Sequence, residues 1–188
     1  MPRTSEQFEQ IKEDRKAKIL NAATELFALA NSSKISIDQI SEKSQCSHGL
    51  IYHYFKNVDD VYNAILRNEV IRTLTKTLDV KPSLKALPQI KEILFAINKT
   101  LEDDKNIPLV MVFLDKKDKP NFKDTIATLV KKGQKENQVS VGDPSALADT
   151  CYYIYRGYCV NKYQNIKSND RLPDYDIVMQ LFLRGSLL

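Results

Sequence analysis

The chain has 188 residues, 43% hydrophobic and 28% charged, a balance that excludes a disordered polyelectrolyte and allows one domain or a small domain beside a larger one. Its longest apolar run, 109–114, is far below the roughly 20 residues a membrane-spanning helix needs, and the charged first twenty residues do not read as a signal peptide. The net charge is +4, yet residues 1–80 hold eleven Lys or Arg and eleven Asp or Glu, so any contact with a polyanion there depends on where the charges lie.

Residues 1–11 read as a frayed lead-in. From Lys12 to about Ala30, the residues Ile19, Ala23, Leu26, Phe27 and Ala30 recur at helical spacing, which predicts a long amphipathic helix with Arg15, Lys16 and Lys18 at its polar start. Those cations suit a phosphate backbone; a solvated helix face is the competing reading. A polar turn is expected at 31–34. Ser36 and Gln39 then fit a capping box that opens a short helix with Ile37 and Ile40 turned inward. The connection at 44–46 is short enough to require a sharp turn.

A second short helix, capped by Ser47 and reaching Lys56, holds both histidines of the chain and no acid. Ile51 and Phe55, four residues apart, form one apolar docking face and leave His48, Leu50, Tyr52, His53 and Tyr54 for the other faces. Tyr, His and Lys56 carry the donors and flat rings that phosphates and base edges accept. Helix, tight turn, helix is the layout of a DNA-binding helix-turn-helix. Cys46, in the turn, suits a small buried residue better than a redox switch.

Asn57 with Asp59 and Asp60 reads as the cap and acidic first turn of a fourth helix, whose stripe of Val61, Ile65, Leu66, Val70, Leu74 and Leu78 predicts a continuous element to about Asp79. Lys81, Pro82 and Ser83 end it. Beyond, prolines punctuate helices: one around Pro88 to Asp104, a short one opened by Pro108, and one from Phe122 to about Asn137. Two more start at Asp143–Pro144 and at Pro173 with Asp174 and Asp176. The run 109–114 is a helix rather than a buried strand, because no partner strand is in sight. The final two helices carry stripes of Leu147, Cys151, Ile154, Tyr155, Tyr158 and Cys159, and of Ile177, Val178, Leu181, Phe182, Gly185 and Leu188. Each stripe suits either the core of one chain or a four-helix bundle with a second copy, with Gly157 and Gly185 permitting close approach.

Three stretches together resemble the amino-terminal domain of TetR-family transcriptional regulators: Arg15 to Phe27, Ser36 to Ser41, and Gly49 to Lys56 with glycine, tyrosine and phenylalanine at Gly49, Tyr52 and Phe55. The resemblance runs over roughly residues 12–70. It implies an all-α protein: a small three-helix DNA-binding domain (12–70) containing a helix-turn-helix, joined by a long helix to a larger helical effector-binding and dimerisation domain (71–188). It also implies a homodimer through the last two helices, a double-stranded operator as partner, an unknown small-molecule effector, no cofactor and a cytoplasmic location, which three cysteines without a disulfide framework also suit. By that likeness Tyr52, Tyr54 and Lys56 hold phosphates, while His48, Gly49, Leu50 and His53 approach base edges, with Ser36 and Ser47 on the same surface. Leu50 stands where the family commonly has Thr or Ser, Val58 where many members have a lysine, and Gln45 where the turn often has glycine.

In the carboxyl-terminal half, Phe95, Met111, Phe113, Phe122, Tyr152, Tyr153 and Tyr155 are available to line an effector cavity, with Arg156 or Lys131 to answer an anionic group; plain core packing is the competing reading. No glycine-rich phosphate loop, no metal-ligand spacing and no nucleophile set beside a histidine points to an enzyme. The expected function is a repressor that a small molecule releases from DNA. The alternative is a helical ligand-binding or protein-interaction module that has lost DNA binding.

Overall fold

The computed structural model of the chain describes residues 5–29, 35–164 and 171–183. It divides into two compact units, Met1–Asn68 and Glu69–Leu188. Among the described residues every regular element is a helix apart from one isolated antiparallel bridge between Val139 and Leu183, and no helix is long and apolar enough to cross a membrane.

The first unit contains α1 (Ser5–Leu29), α2 (Ile37–Ser44), α3 (His48–Tyr54) and α4 (Val58–Leu66). The helical period of α1 already runs through residues 5–11, where a lead-in is expected from the sequence. The polar turn expected at 31–34, with Ala30 before it, lies outside the described residues. Ile19, Ala22, Ala23, Phe27 and Ala28 of α1 are buried with Ile40, Ile51, Phe55, Val61 and Ile65. The Phe27 ring meets Tyr62 at 4.9 Å, and Lys43 pairs with Glu25 at 2.8 Å across α2 and α1.

The second unit opens with α5 (Glu69–Thr77), so the single long helix expected over 58–79 is two. Its ladder tightens at the junction, where the Arg67 and Asn68 amides donate to Ala64 and Ile65. The sequence carries the reason. Buried Val61 and Ile65 keep helical spacing, as do buried Ile71, Leu74 and Leu78, but the step from Ile65 to Ile71 is six residues, about 120° short of a common face. One straight helix cannot bury both sets.

α6 (Ala86–Leu101), α7 (Ile107–Asp115), α8 (Phe122–Lys135), α9 (Pro144–Tyr163) and α10 (Tyr175–Gln180) complete the second unit. Proline sits in the first turns of α6, α7 and α9, where a missing N–H costs nothing. Val110 to Leu114 are all buried because α7 has α5, α6, α8 and α9 around it, and a helix apolar on every side must be enclosed. Buried Gln89 ties the segment after α5 to α6: its carbonyl accepts from the Lys81 amide, and its amide group donates to the carbonyls of Lys81, Leu84 and Lys85.

The last element departs from its expected length and start. The helix begins at Tyr175 rather than at Pro173, with Asp174 as its N-cap accepting from the amides of Asp176 and Ile177. α10 then stops at Gln180 because the carbonyls of Leu181 and Phe182 are diverted to Ser140, which donates from its hydroxyl and its amide at 2.9 and 3.0 Å. Of the expected stripe, Val178 and Phe182 are buried and Ile177 is exposed; Gly185 and Leu188 lie outside the described residues. On α9, Cys151, Tyr155 and Cys159 face inward, and a Cβ at Gly157 would meet nothing within 4 Å.

Candidate nucleic-acid interface

Two capped helices and a three-residue turn build the site. Ser36 accepts from the Gln39 amide at 3.2 Å while the Gln39 side chain accepts from the Ser36 amide at 2.9 Å, completing the capping box that starts α2. At the other end Gln45 takes the left-handed conformation (φ 52°), which closes the turn without the glycine usual there. The Ser41 hydroxyl donates to the Cys46 carbonyl at 2.6 Å, and the buried Cys46 thiol reaches the Ser44 carbonyl. Ser47 caps α3 by accepting from Leu50 at 3.3 Å. A hydroxyl that accepts in a cap still has its proton to donate, so Ser36 and Ser47 keep a donor for an outside partner.

The faces of α3 follow from a rotation of about 100° per residue. Ile51 is wholly buried and Phe55 nearly so, which docks the helix. Opposite Ile51 stand Gly49 and His53, both exposed, and a Cβ at Gly49 would meet nothing within 4 Å. His48 and Tyr52 share one flank; Leu50 and Tyr54 share the other. The contacts agree with this geometry. His48 reaches α2, with its Nε2 3.1 Å from Asp38 Oδ1, while the Tyr54 hydroxyl donates to the Lys12 carbonyl of α1 at 3.2 Å.

Tyr52 is 57% exposed, His53 and Lys56 are exposed, and Leu50 is half-buried. The outward face thus gathers Gly49, Tyr52, His53 and Lys56, whereas half-buried Tyr54 has its donor engaged in holding α3 to α1. The His53 ring stands edge-on to Tyr54 at 5.0 Å. Lys56 is fixed at its backbone, its amide donating to Asp60 Oδ2 at 3.1 Å, while Asn57 caps α4 through the Asp60 amide at 2.8 Å.

The residues named for an effector cavity are distributed differently. Met111 and Phe113 of α7 are fully buried, and Phe113 meets Phe122 edge-on at 6.4 Å. Phe95 is 60% exposed on α6, with the Tyr175 ring 6.3 Å away. Tyr155 is buried, its hydroxyl donating to Asn98 Oδ1, and Asn98 in turn donates to the Pro173 carbonyl at 2.9 Å. Tyr153 and Lys131 are exposed.

Tyr152 and Arg156 meet at Asp115, and the Lys123 ammonium lies 4.2 and 5.4 Å from the ring centroids of Tyr152 and Tyr153; neither Asp115 nor Lys123 stood out in the sequence. The Tyr152 hydroxyl donates to Asp115 Oδ1 at 2.6 Å and Arg156 Nε donates to both carboxylate oxygens at 3.3 and 3.1 Å. Burial, then the Asp115 carboxylate, push the Tyr152 phenol up to about 12. The signal for Asp115 was a lone acid closing an apolar run; for Asn98 there was none beyond a polar residue in a buried helix.

Residues 19–65 match the family described as bacterial regulatory proteins, tetR family. Over 56 residues the chain is 39% identical to the HTH-type transcriptional regulator HbdR of Aromatoleum sp. (strain CIB), a match covering 30% of this chain and 24% of that protein, so it spans about a quarter of the relative's length. Two solved structures share the fold over most of the chain. A gamma-butyrolactone receptor (ArpA-like protein) aligns with a TM-score of 0.59 at 17% identity, covering 90% of this chain and 85% of that one. SmeT in complex with triclosan aligns at 0.53 and 16% identity, covering 93% and 95%; SmeT is the repressor of the Stenotrophomonas maltophilia multidrug efflux pump SmeDEF.

Proposed function

We propose, on the premise that residues 19–65 form a helix-turn-helix domain of the tetR family of bacterial regulatory proteins, that this chain is a homodimeric transcriptional repressor released from its operator by a small molecule. The observation that carries this reading is the outward face of α3: Gly49, Tyr52, His53 and Lys56 left to solvent by the docking of Ile51 and Phe55. In the proposed complex α3 enters the major groove, with His48, Gly49, Leu50 and His53 near base edges. Tyr52, Lys56 and the cap hydroxyls of Ser36 and Ser47 bind phosphates.

A helical openness at Gly49 supports this. Glycine in a helix costs about 1 kcal/mol relative to alanine, and nothing inside the protein requires one there, so an approaching backbone outside it is the reason left. Residues 12–70 act as the DNA-binding domain and 71–188 as the effector-binding and dimerisation domain. Two copies pair through the helices at the end of the chain, so that two α3 segments reach successive major grooves about 34–36 Å apart. An effector in the larger domain acts by binding the released state better than the DNA-bound state, since equal affinity would shift nothing. The gamma-butyrolactone receptor and the triclosan-bound SmeT share its fold, which supports a small organic molecule in that role. The protein works in the cytoplasm.

The test is direct. Tyr52→Ala with His53→Ala should abolish specific binding to a fragment of the protein's own promoter while leaving helical circular dichroism and melting temperature within a few degrees of wild type. Specific binding that survives both changes removes these residues from the interface. Affinity for DNA should also fall linearly on a log–log plot as salt is raised, because each neutralised phosphate releases counterions.

A further inference from the structure

The first turn of α2 favours an acid through the helix dipole, and that is the contribution Asp38 makes to the fold. Its side chain is 84% exposed and pairs with His48, itself 53% exposed. A pair so wet adds little to stability. An acid on a surface that approaches phosphates is also repelled by them, a cost that a bond to a base donor offsets.

The geometry points to Asp38, its carboxylate held by His48, as the reader of one G·C base pair in the operator half-site. This inference rests on the DNA-binding reading above. Asp38 Oδ1 is engaged with His48 Nε2 at 3.1 Å, which leaves Oδ2 of the exposed carboxylate to accept from a third partner. A carboxylate only accepts hydrogen bonds, so its partner must be a donor. In the major groove the cytosine N4 amino group is a donor at one end of the pair's edge, and guanine N7 and O6 are acceptors at the other.

Asp38 Oδ2 therefore accepts from cytosine N4, and the bond from His48 Nε2 to Oδ1 holds the carboxylate in place. An A·T pair suits the couple less well, because its amino group is flanked on both sides by acceptors, N7 and O4, that repel a carboxylate. Position on the fold agrees: His48 shares its flank of α3 with exposed Tyr52 and stands beside open Gly49, so the pair borders the face that meets the groove.

The experiment is selection from a randomised duplex pool with the full-length protein, its Asp38→Ala, Asp38→Asn and His48→Ala variants run in parallel, and thermal melts for each. The wild-type pool should contain one strongly fixed G·C position per half-site. Asp38→Ala should lose preference at that position alone, by about tenfold or more, while the rest of the site is retained. Asp38→Asn keeps the size of the side chain and should admit A·T at the same position, since a carboxamide pairs with adenine N6 and N7. Asp38 variants that melt like wild type and select the wild-type sequence at every position overturn the inference alone. A wild-type pool with no enriched sequence overturns it together with the DNA-binding reading.

Discussion

Replacing Gly49 with alanine should make the protein more stable and its DNA complex weaker. Gly49 is the second residue of α3, its backbone is helical, and an added Cβ meets nothing within 4 Å. The folded state therefore accepts the methyl group without strain, and the unfolded chain loses the freedom peculiar to glycine, a gain of about 0.5–1 kcal/mol. For a unit of the size of Met1–Asn68 that corresponds to a rise in melting temperature of roughly 2–8 °C. At the DNA surface the same methyl group stands at the centre of the outward face, between His48 and Tyr52 on one flank and Leu50 on the other. If the groove approaches the backbone there, the overpacking cost is about 1–3 kcal/mol, or an affinity lower by roughly 5- to 150-fold. Calorimetric melting and fluorescence anisotropy on a selected operator measure the two effects separately. Operator affinity equal to or better than wild type refutes close approach at Gly49, and a fall in melting temperature refutes the open face.

Contacts elsewhere in the molecule carry expected outcomes of their own. Lys56→Ala should weaken binding to all DNA sequences about equally and reduce the log–log salt slope by about 1, which a titration over salt concentration reads directly. Asp115→Ala removes the carboxylate from a guanidinium only 16% exposed and should cost about 3 kcal/mol in a denaturant titration. In the wild type, the folded state holds the Tyr152 proton more tightly than the unfolded chain, so this group's stabilisation is complete below the ordinary tyrosine range near pH 10 and is lost as the pH rises through about 12. Ultraviolet titration should find that phenol shifted downward in Asp115→Ala, because the carboxylate's raising effect is lost while the lowering effect of Arg156 stays. Gly133→Ala would drive a Cβ into the Val139 side chain and to 3.2 Å from Ala86, so a loss of about 1–3 kcal/mol is expected on thermal melting. Cys46, Cys151 and Cys159 are all buried, and burial raises the thiols of Cys151 and Cys159, so a disulfide reagent should react slowly with native protein and titrate three thiols after denaturation.

The parts of the molecule legible from the sequence are those decided within one turn of helix. The reciprocal bonds of Ser36 and Gln39, the Ser47, Asn57 and Asp143 caps and the Ile51–Phe55 docking pair involve partners no more than four residues apart, so spacing alone specifies them. The helical character of 109–114 was also legible, from the lack of any strand to pair with it. Tertiary structure decided the rest, because its causes lie far along the chain. Ser140 ends α10 by taking the carbonyls of Leu181 and Phe182, forty-one residues away in the hydroxyl bond. Asp115 gathers Tyr152 and Arg156 over separations of 37 and 41, and the burial of Met111, Phe113 and Phe122 against the exposure of Phe95 depends on which helices surround α7. Periodicity says which side of a helix is apolar. It does not say what that side will meet, and whether a side chain becomes core, latch or contact is settled only when a distant segment closes over it or leaves it open.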